Sequence, residues 1–152
     1  MPAVQSTYPA QMRPYVVGMV QNQETANTTS LAAVEDAAGI PFGVAAFRGT
    51  NDKRLTATPA AGKFRGITVR DITQQALAPT GNQDFYPQYS TPSLLTMGRI
   101  PVNVSVAVAQ EDDVYVTSAG AFTNVATGNV RCGNFKFDTT LTAPGIGLIA
   151  RR

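Results

Sequence analysis

The side chains able to do chemistry in this sequence are few, and their spacing argues against most reactions. No histidine occurs among the 152 residues. That removes Ser-His-Asp and Cys-His nucleophile pairs, histidine-containing zinc sites and the commonest general base near neutral pH. Cys132 is the single cysteine, so neither an intrachain disulfide nor a cysteine zinc cluster can form; in a β pattern it reads as a small buried hydrophobe. Gly145, Gly147 and Ala150 formally match a dinucleotide fingerprint, but that motif needs a strand turning into a helix. The sequence stops at Arg152, which leaves no room for one. Gly62 and Lys63 fall short of a phosphate loop, because Ala57 stands at the upstream glycine position and Phe64 replaces the Ser or Thr.

Carboxylates are the remaining candidates. Asp71, Asp84 and Glu111 are potential acid–base groups, and Glu111, Asp112 and Asp113 are potential Ca²⁺ ligands. Catalysis needs convergent groups with tuned pKa values, and neighbouring side chains on a strand point to alternate faces. The acidic triplet therefore reads as a solvated turn. Phe135 and Phe137 share one strand face with Lys136 opposite, a pattern open to base stacking but more simply explained as core. No cofactor or metal site is expected.

The elements that must position these residues are strands. Along residues 99–109, Ile100, Val102, Val104, Val106 and Val108 alternate with Asn103, Ser105, Ala107 and Ala109. Such alternation makes one strand with a branched apolar face and a small, uncharged face. The small face suits cover by another subunit better than water alone. Pro101 is expected at the strand's start or on an edge. Further strands are expected at 15–20, 43–48, 64–72, 114–117, 130–138 and 145–150, with Gly66 as a bulge. Residues 31–38 have helix-favouring composition between Ser30 as cap and Gly39 as stop. About two turns is marginal for a helix, and a loop or short strand fits equally well. Turn signals recur roughly every 8–12 residues, the spacing of an all-β barrel or sandwich.

Charged residues make up 14% of the chain, against roughly 25% in typical soluble domains. Few charges need desolvating when such a surface is covered. The net charge is +2, and the arginines are scattered along the sequence, so no stripe for nucleic acid is visible. Residues 1–14 lack a basic stretch followed by an apolar run, so no secretory signal is expected. No run of about 18 apolar residues predicts a transmembrane helix. Pro2, Pro9 and Pro14 make residues 1–14 an extended arm, followed by a single β domain over 15–152. Tyr8, Met12, Arg13 and Tyr15 are candidate docking residues there. Phe85, Tyr86 and Tyr89, in the irregular stretch 78–92, are a second candidate set.

Several segments in order suggest a family: Ile40 to Gly43, Phe47 to Gly49, Phe64 to Val69, Gly98 to Val106, Asp112 to Val116, Gly133 to Asp138 and Gly145 to Ala150. Together, over roughly residues 16–150, they resemble the structural cement, or capsid decoration, proteins of tailed bacteriophages. The resemblance implies a β-rich fold, and with the strand pattern above the expectation is all-β, a small barrel or jelly-roll-like sandwich with at most one short helix; the extended arm over 1–14 is read from its prolines and is no part of the resemblance. It implies a non-enzymatic virion protein, made in the host bacterial cytoplasm, on the outer capsid surface. Its partner would be the major capsid protein, and the chain a homo-oligomer (dimer or trimer), with no nucleic acid and no membrane. Bridging of neighbouring capsid subunits would stabilise the shell against internal pressure. The alternative is a tail, baseplate or receptor-binding component of the same virion.

Overall fold

The computed structural model describes residues 15–21, 25–71, 73 and 84–152. The expected arm, residues 1–14, lies outside them. The described residues form twelve strands and no helix: β1 (Asn27–Thr29), β2 (Ala33–Val34), β3 (Ile40–Pro41), β4 (Ala45–Arg48), β5 (Arg54–Thr56), β6 (Phe64–Thr68), β7 (Phe85–Tyr86), β8 (Leu94–Val104), β9 (Asp113–Val116), β10 (Phe122–Thr123), β11 (Val130–Phe137) and β12 (Gly145–Arg151). The all-β expectation is met.

Two sheets share β8. Its second half pairs with β12, and the order β8–β12–β11–β9–β10 returns to β8 through the parallel pair Phe122 and Val104, closing a small five-stranded barrel. Its first half lies between β1 and β6, and the sheet continues through β4 and β5 to β2. The valine alternation places Ile100, Val102, Val104 and Val108 in the main core. Val114, Val116, Phe122, Phe135, Phe137 and Ile149 fill the barrel beside them. Cys132 and Phe135 both point inward although three residues apart, because β11 carries a bulge between Arg131 and Lys136. Gly133, at φ 56°, supplies the left-handed residue within it.

The open sheet is covered on both faces at β4. Ala45 and Phe47 of β4 join the barrel core, while Ala46 joins a second cluster of Val34, Ile40, Phe42, Leu55, Tyr86 and Leu94. A strand covered on both sides needs no apolar–polar alternation, which is why β4 reads as an unbroken run. The ribbon of β3 and β7 contributes Ile40 and Tyr86 to the second cluster. Phe42 meets Tyr86 edge-on at 5.0 Å. Phe64 stands between Phe47 and Phe135, at 5.8 and 6.1 Å, and so ties sheet to barrel. Thr68 is fully buried. Its Oγ1 donates to the Pro41 carbonyl at 2.7 Å and accepts from the Val44 N–H at 3.1 Å. Unsatisfied, such a group would cost about 1–3 kcal/mol.

Three expectations need correction. The central strand runs over 94–104, not 99–109, and beyond Val104 only the bridge of Val108 with Leu141 continues the pairing. Pro101 sits inside that strand. Its carbonyl accepts the Gly18 N–H at 3.0 Å, so its nitrogen also faces the edge away from β12, and no ladder bond is lost. Residues 15–20 are a turn rather than a buried strand: Gly18 has φ 80°, and Val16 and Met19 are exposed. A Cβ on Gly18 would lie 2.9 Å from the Gly43 nitrogen, so backbone closeness, not strand pairing, sets this segment. Of the readings open for residues 31–38, the short strand is the one found: β2 pairs parallel to β5.

Gly98 lies where β8 passes from one sheet to the other, at φ 122°, and a Cβ there would sit 3.1 Å from that of Ala26. Gly98→Ala should therefore lower unfolding free energy by about 1–3 kcal/mol, measured by denaturant titration. An unchanged midpoint would show that β8 bends without glycine.

Candidate functional site

The two aromatic sets fare differently. Tyr8, Met12 and Arg13 lie outside the described residues; Tyr15 is half-buried. Tyr86 is a core residue rather than a contact residue. Its ring is 1% exposed, and its hydroxyl donates to the Val69 carbonyl at 2.6 Å. Burial raises its pKa above the ordinary tyrosine value. Phe85 is half-buried on β7, its ring close over Gly39.

Tyr89 alone of the three is exposed, at 67%, and it adopts φ 66°. A tyrosine with positive φ is strained. Here the backbone is held by β2, because the Tyr89 N–H donates to the Val34 carbonyl at 2.9 Å and Val34 donates to Ser90 at 2.9 Å. The Arg54 guanidinium lies over the Tyr89 ring, 5.4 Å from its centre. Tyr89 lines an open depression of about 640 Å³ with Ala33, Asn51, Asp52, Lys53 and Arg54.

The small face of the central segment is solvent-facing. Asn103, Ser105, Ala107 and Ala109 are exposed, and Ile146 on β12, opposite Asn103, is 42% exposed. Further along the outer barrel, Arg99 pairs with Ala150 in register while its guanidinium crosses β12 to Asp138. Arg99 Nε lies 2.7 Å from Asp138 Oδ2, but its N–H is not aimed at it, so the contact is an ion pair rather than a directed hydrogen bond. Arg152 approaches the same carboxylate at 3.3 Å. Strands β8, β12 and β11 are thereby clamped from outside.

The acidic turn holds the barrel together rather than gathering a ligand. Asp112 Oδ2 accepts from the Ala109 N–H at 2.9 Å and from Asn124 Nδ2 at 2.7 Å. Asp113 Oδ1 takes Arg131 at 3.0 Å and Lys136 at 3.2 Å. Glu111 sits on the turn at φ 73°. Hydrogen bonds from the Ala109 backbone and Asn124 hold Asp112 below the usual carboxylate range, and the Lys136 hydrogen bond, with Arg131 beside it, does the same for Asp113. Asp71 accepts from Thr73, and Asp84 pairs with Arg70 at 2.8 Å. Burial pushes the Cys132 thiol up to about 12, which leaves it un-ionised and unreactive. Among the described residues no three His, Cys, Asp or Glu side chains gather as metal ligands, and no helix is long and apolar enough to cross a membrane.

A family model described as Structural cement protein (E217 gp24/Pam3 gp6) matches residues 4–152. Among solved structures, a chain from "The capsid of Myoviridae Phage XM1" superposes with a TM-score of 0.70 at 18% identity, covering 99% of this chain and 97% of that one. Identity at that level shows a shared fold. No curated protein matches the sequence significantly.

Because the Asp112 carboxylate titrates below its ordinary range, the stability it adds is present at neutral pH and lost as pH falls through the lowered value. Asp112→Asn should cost about 1 kcal/mol near neutral pH. In urea titrations the difference from the parent chain should close once both are acidified below the carboxylate range. A difference that does not change with pH would show that the charge is not responsible.

Proposed function

The chain belongs to the structural cement protein family of phage capsids, and from that premise we propose that it binds the outside of the assembled shell and bridges neighbouring major capsid subunits. The family match over residues 4–152 carries this reading, since it takes in nearly the whole arm as well as the body. A shell packed with nucleic acid is pushed outward, and a rigid body bound across a subunit boundary adds its binding free energy to the work of separating the two subunits. The body is suited to this. Two sheets sharing one strand deform together, and the exposed strip of Asn103, Ser105, Ala107 and Ala109 offers contact area with no charge to desolvate. Each contact need only be modest when many equivalent copies act on one shell. Self-association as a dimer or trimer would multiply these attachments.

The arm supplies the second attachment. We take Tyr8, Met12 and Arg13 as its anchors, in a sequence where Pro2, Pro9 and Pro14 each fix one φ and so lower the entropy lost on docking. Tyr15 joins this segment to the body.

Added to particles that lack it, the full chain should raise the temperature at which they release their nucleic acid. The chain without residues 1–13 should melt as the full chain does yet give a smaller rise. No rise with the full chain would overturn the stabilising role; an equal rise with the shortened chain would remove the arm from the interface.

A further inference from the structure

The cations look scattered in the sequence, but the fold collects five of them at one end of the open sheet. Arg48 ends β4, Arg54 begins β5 and Arg65 lies in β6, while Lys53 and Lys63 occupy the turns between these strands. Hydrogen bonding fixes the grouping: the Arg48 N–H donates to the Lys63 carbonyl at 2.8 Å, and the Gly49 N–H to the Arg54 carbonyl at 2.8 Å. Asp52 stands among them, 2.9 Å from Arg48 and 3.6 Å from Arg65. It also lines the depression that holds Lys53, Arg54 and Tyr89. A neighbouring hollow of about 340 Å³ is walled by Arg48, Lys63, Phe64 and Arg65.

The second carboxylate at this tip, Glu35, is occupied by the Thr50 N–H and hydroxyl at 3.0 and 2.9 Å. Five cations against two carboxylates leave an excess of three positive charges here, more than the +2 of the whole chain. Among the described residues neither Lys53 nor Lys63 has an ion-pair partner, and both are exposed. On the barrel, by contrast, Asp113 is paired with Arg131 and Lys136, and Asp138 with Arg99 and Arg152. Crowding like charges costs folding stability, and that cost is recovered when an oppositely charged partner docks.

We propose that this tip is a docking surface for a carboxylate-rich patch on a protein, with Tyr89 and Leu31 as apolar contacts at its rim. It rests on the shell-binding reading above, and places the acidic patch on the major capsid protein. Leu31 is 85% exposed and lies two residues before Ala33 of the depression. Arginine and tyrosine flanking an apolar side chain is a composition favoured at protein interfaces. Docked on a shell, this tip meets protein surface, so carboxylates rather than phosphates are the anions within its reach.

The test uses shells of the encoding phage that lack this chain, with binding followed by co-sedimentation at rising salt. The full chain should bind, and salt should weaken it. Lys53→Glu with Lys63→Glu, both on exposed turns, should melt no lower than the parent chain, weaken binding about tenfold or more at low salt, and flatten the salt dependence. Equal binding with an equal salt dependence would overturn the proposal. So would an equal loss from Ala126→Glu, Thr127→Glu, Thr142→Glu and Ala143→Glu together, on exposed barrel turns and with the same change of −4 in charge, since net charge rather than this tip would then be responsible. Tighter binding of the full chain to duplex DNA than to shells, lost in the lysine variant, would assign the tip to nucleic acid instead. Failure of the unaltered chain to bind shells would strike the shell-binding reading itself, before any variant is compared.

Discussion

An eleven-residue strand that runs through both sheets must find partners for its backbone on both edges, and β8 finds them in five separate parts of the chain. Strands β1 and β6 flank its first half; β12, the turn at 18–21 and β10 serve its second. The barrel closes through it, the open sheet begins from it, and the two cores lie against it. Register follows from the same constraint. A slip by one residue would turn Ile100, Val102 and Val104 to solvent and bring Asn103 into the barrel, so each of the five partners is held to one alignment. Pro101 fits inside the strand only because the partner at that edge, Gly18, donates and asks for no donor in return.

Charge is arranged around this framework in two ways. On the barrel, carboxylates are spent on structure: Asp112 on a turn amide and Asn124, Asp113 on two cations, and Asp138 on the clamp from Arg99 and Arg152. At the far end of the open sheet cations outnumber carboxylates, and a strained, exposed Tyr89 stands beside them. From Asn103 to Ala109 the outer strip of alternate side chains is small and uncharged. A body that is internally satisfied at one end and unsatisfied at the other is suited to being held between other proteins.

The sequence was legible where local pattern and burial coincide. The valines of β8, the aromatics of β11 and the final strand all follow period two against a single core, and their elements lie close to where the pattern puts them. It was opaque where a distant partner decides. Residues 31–38 favour a helix locally, yet Ala33 and Val34 pair with β5, some twenty residues on. Nothing within 85–89 distinguishes Tyr86, whose hydroxyl finds Val69, from Tyr89, which faces solvent. The apolar run at 15–20 could not reveal that Gly18 must pass close to Gly43. Scattered arginines became a cluster only once two turns and three strands were folded side by side. For the candidate surfaces, the uncharged strip from Asn103 to Ala109 was readable from its alternation, although only its start lies in β8, whereas the cationic tip depends wholly on tertiary contacts.

Family membership makes the chain a capsid structural protein; service as an outer cement, rather than as a tail or baseplate part, rests on repetition over the shell. The most direct measurement is the copy number of this chain in gradient-purified virions, counted by mass spectrometry against the major capsid protein. A cement that bridges subunits over the whole shell should give a ratio near one or a simple fraction of it. A few copies per particle would contradict that role and place the chain in the tail or baseplate.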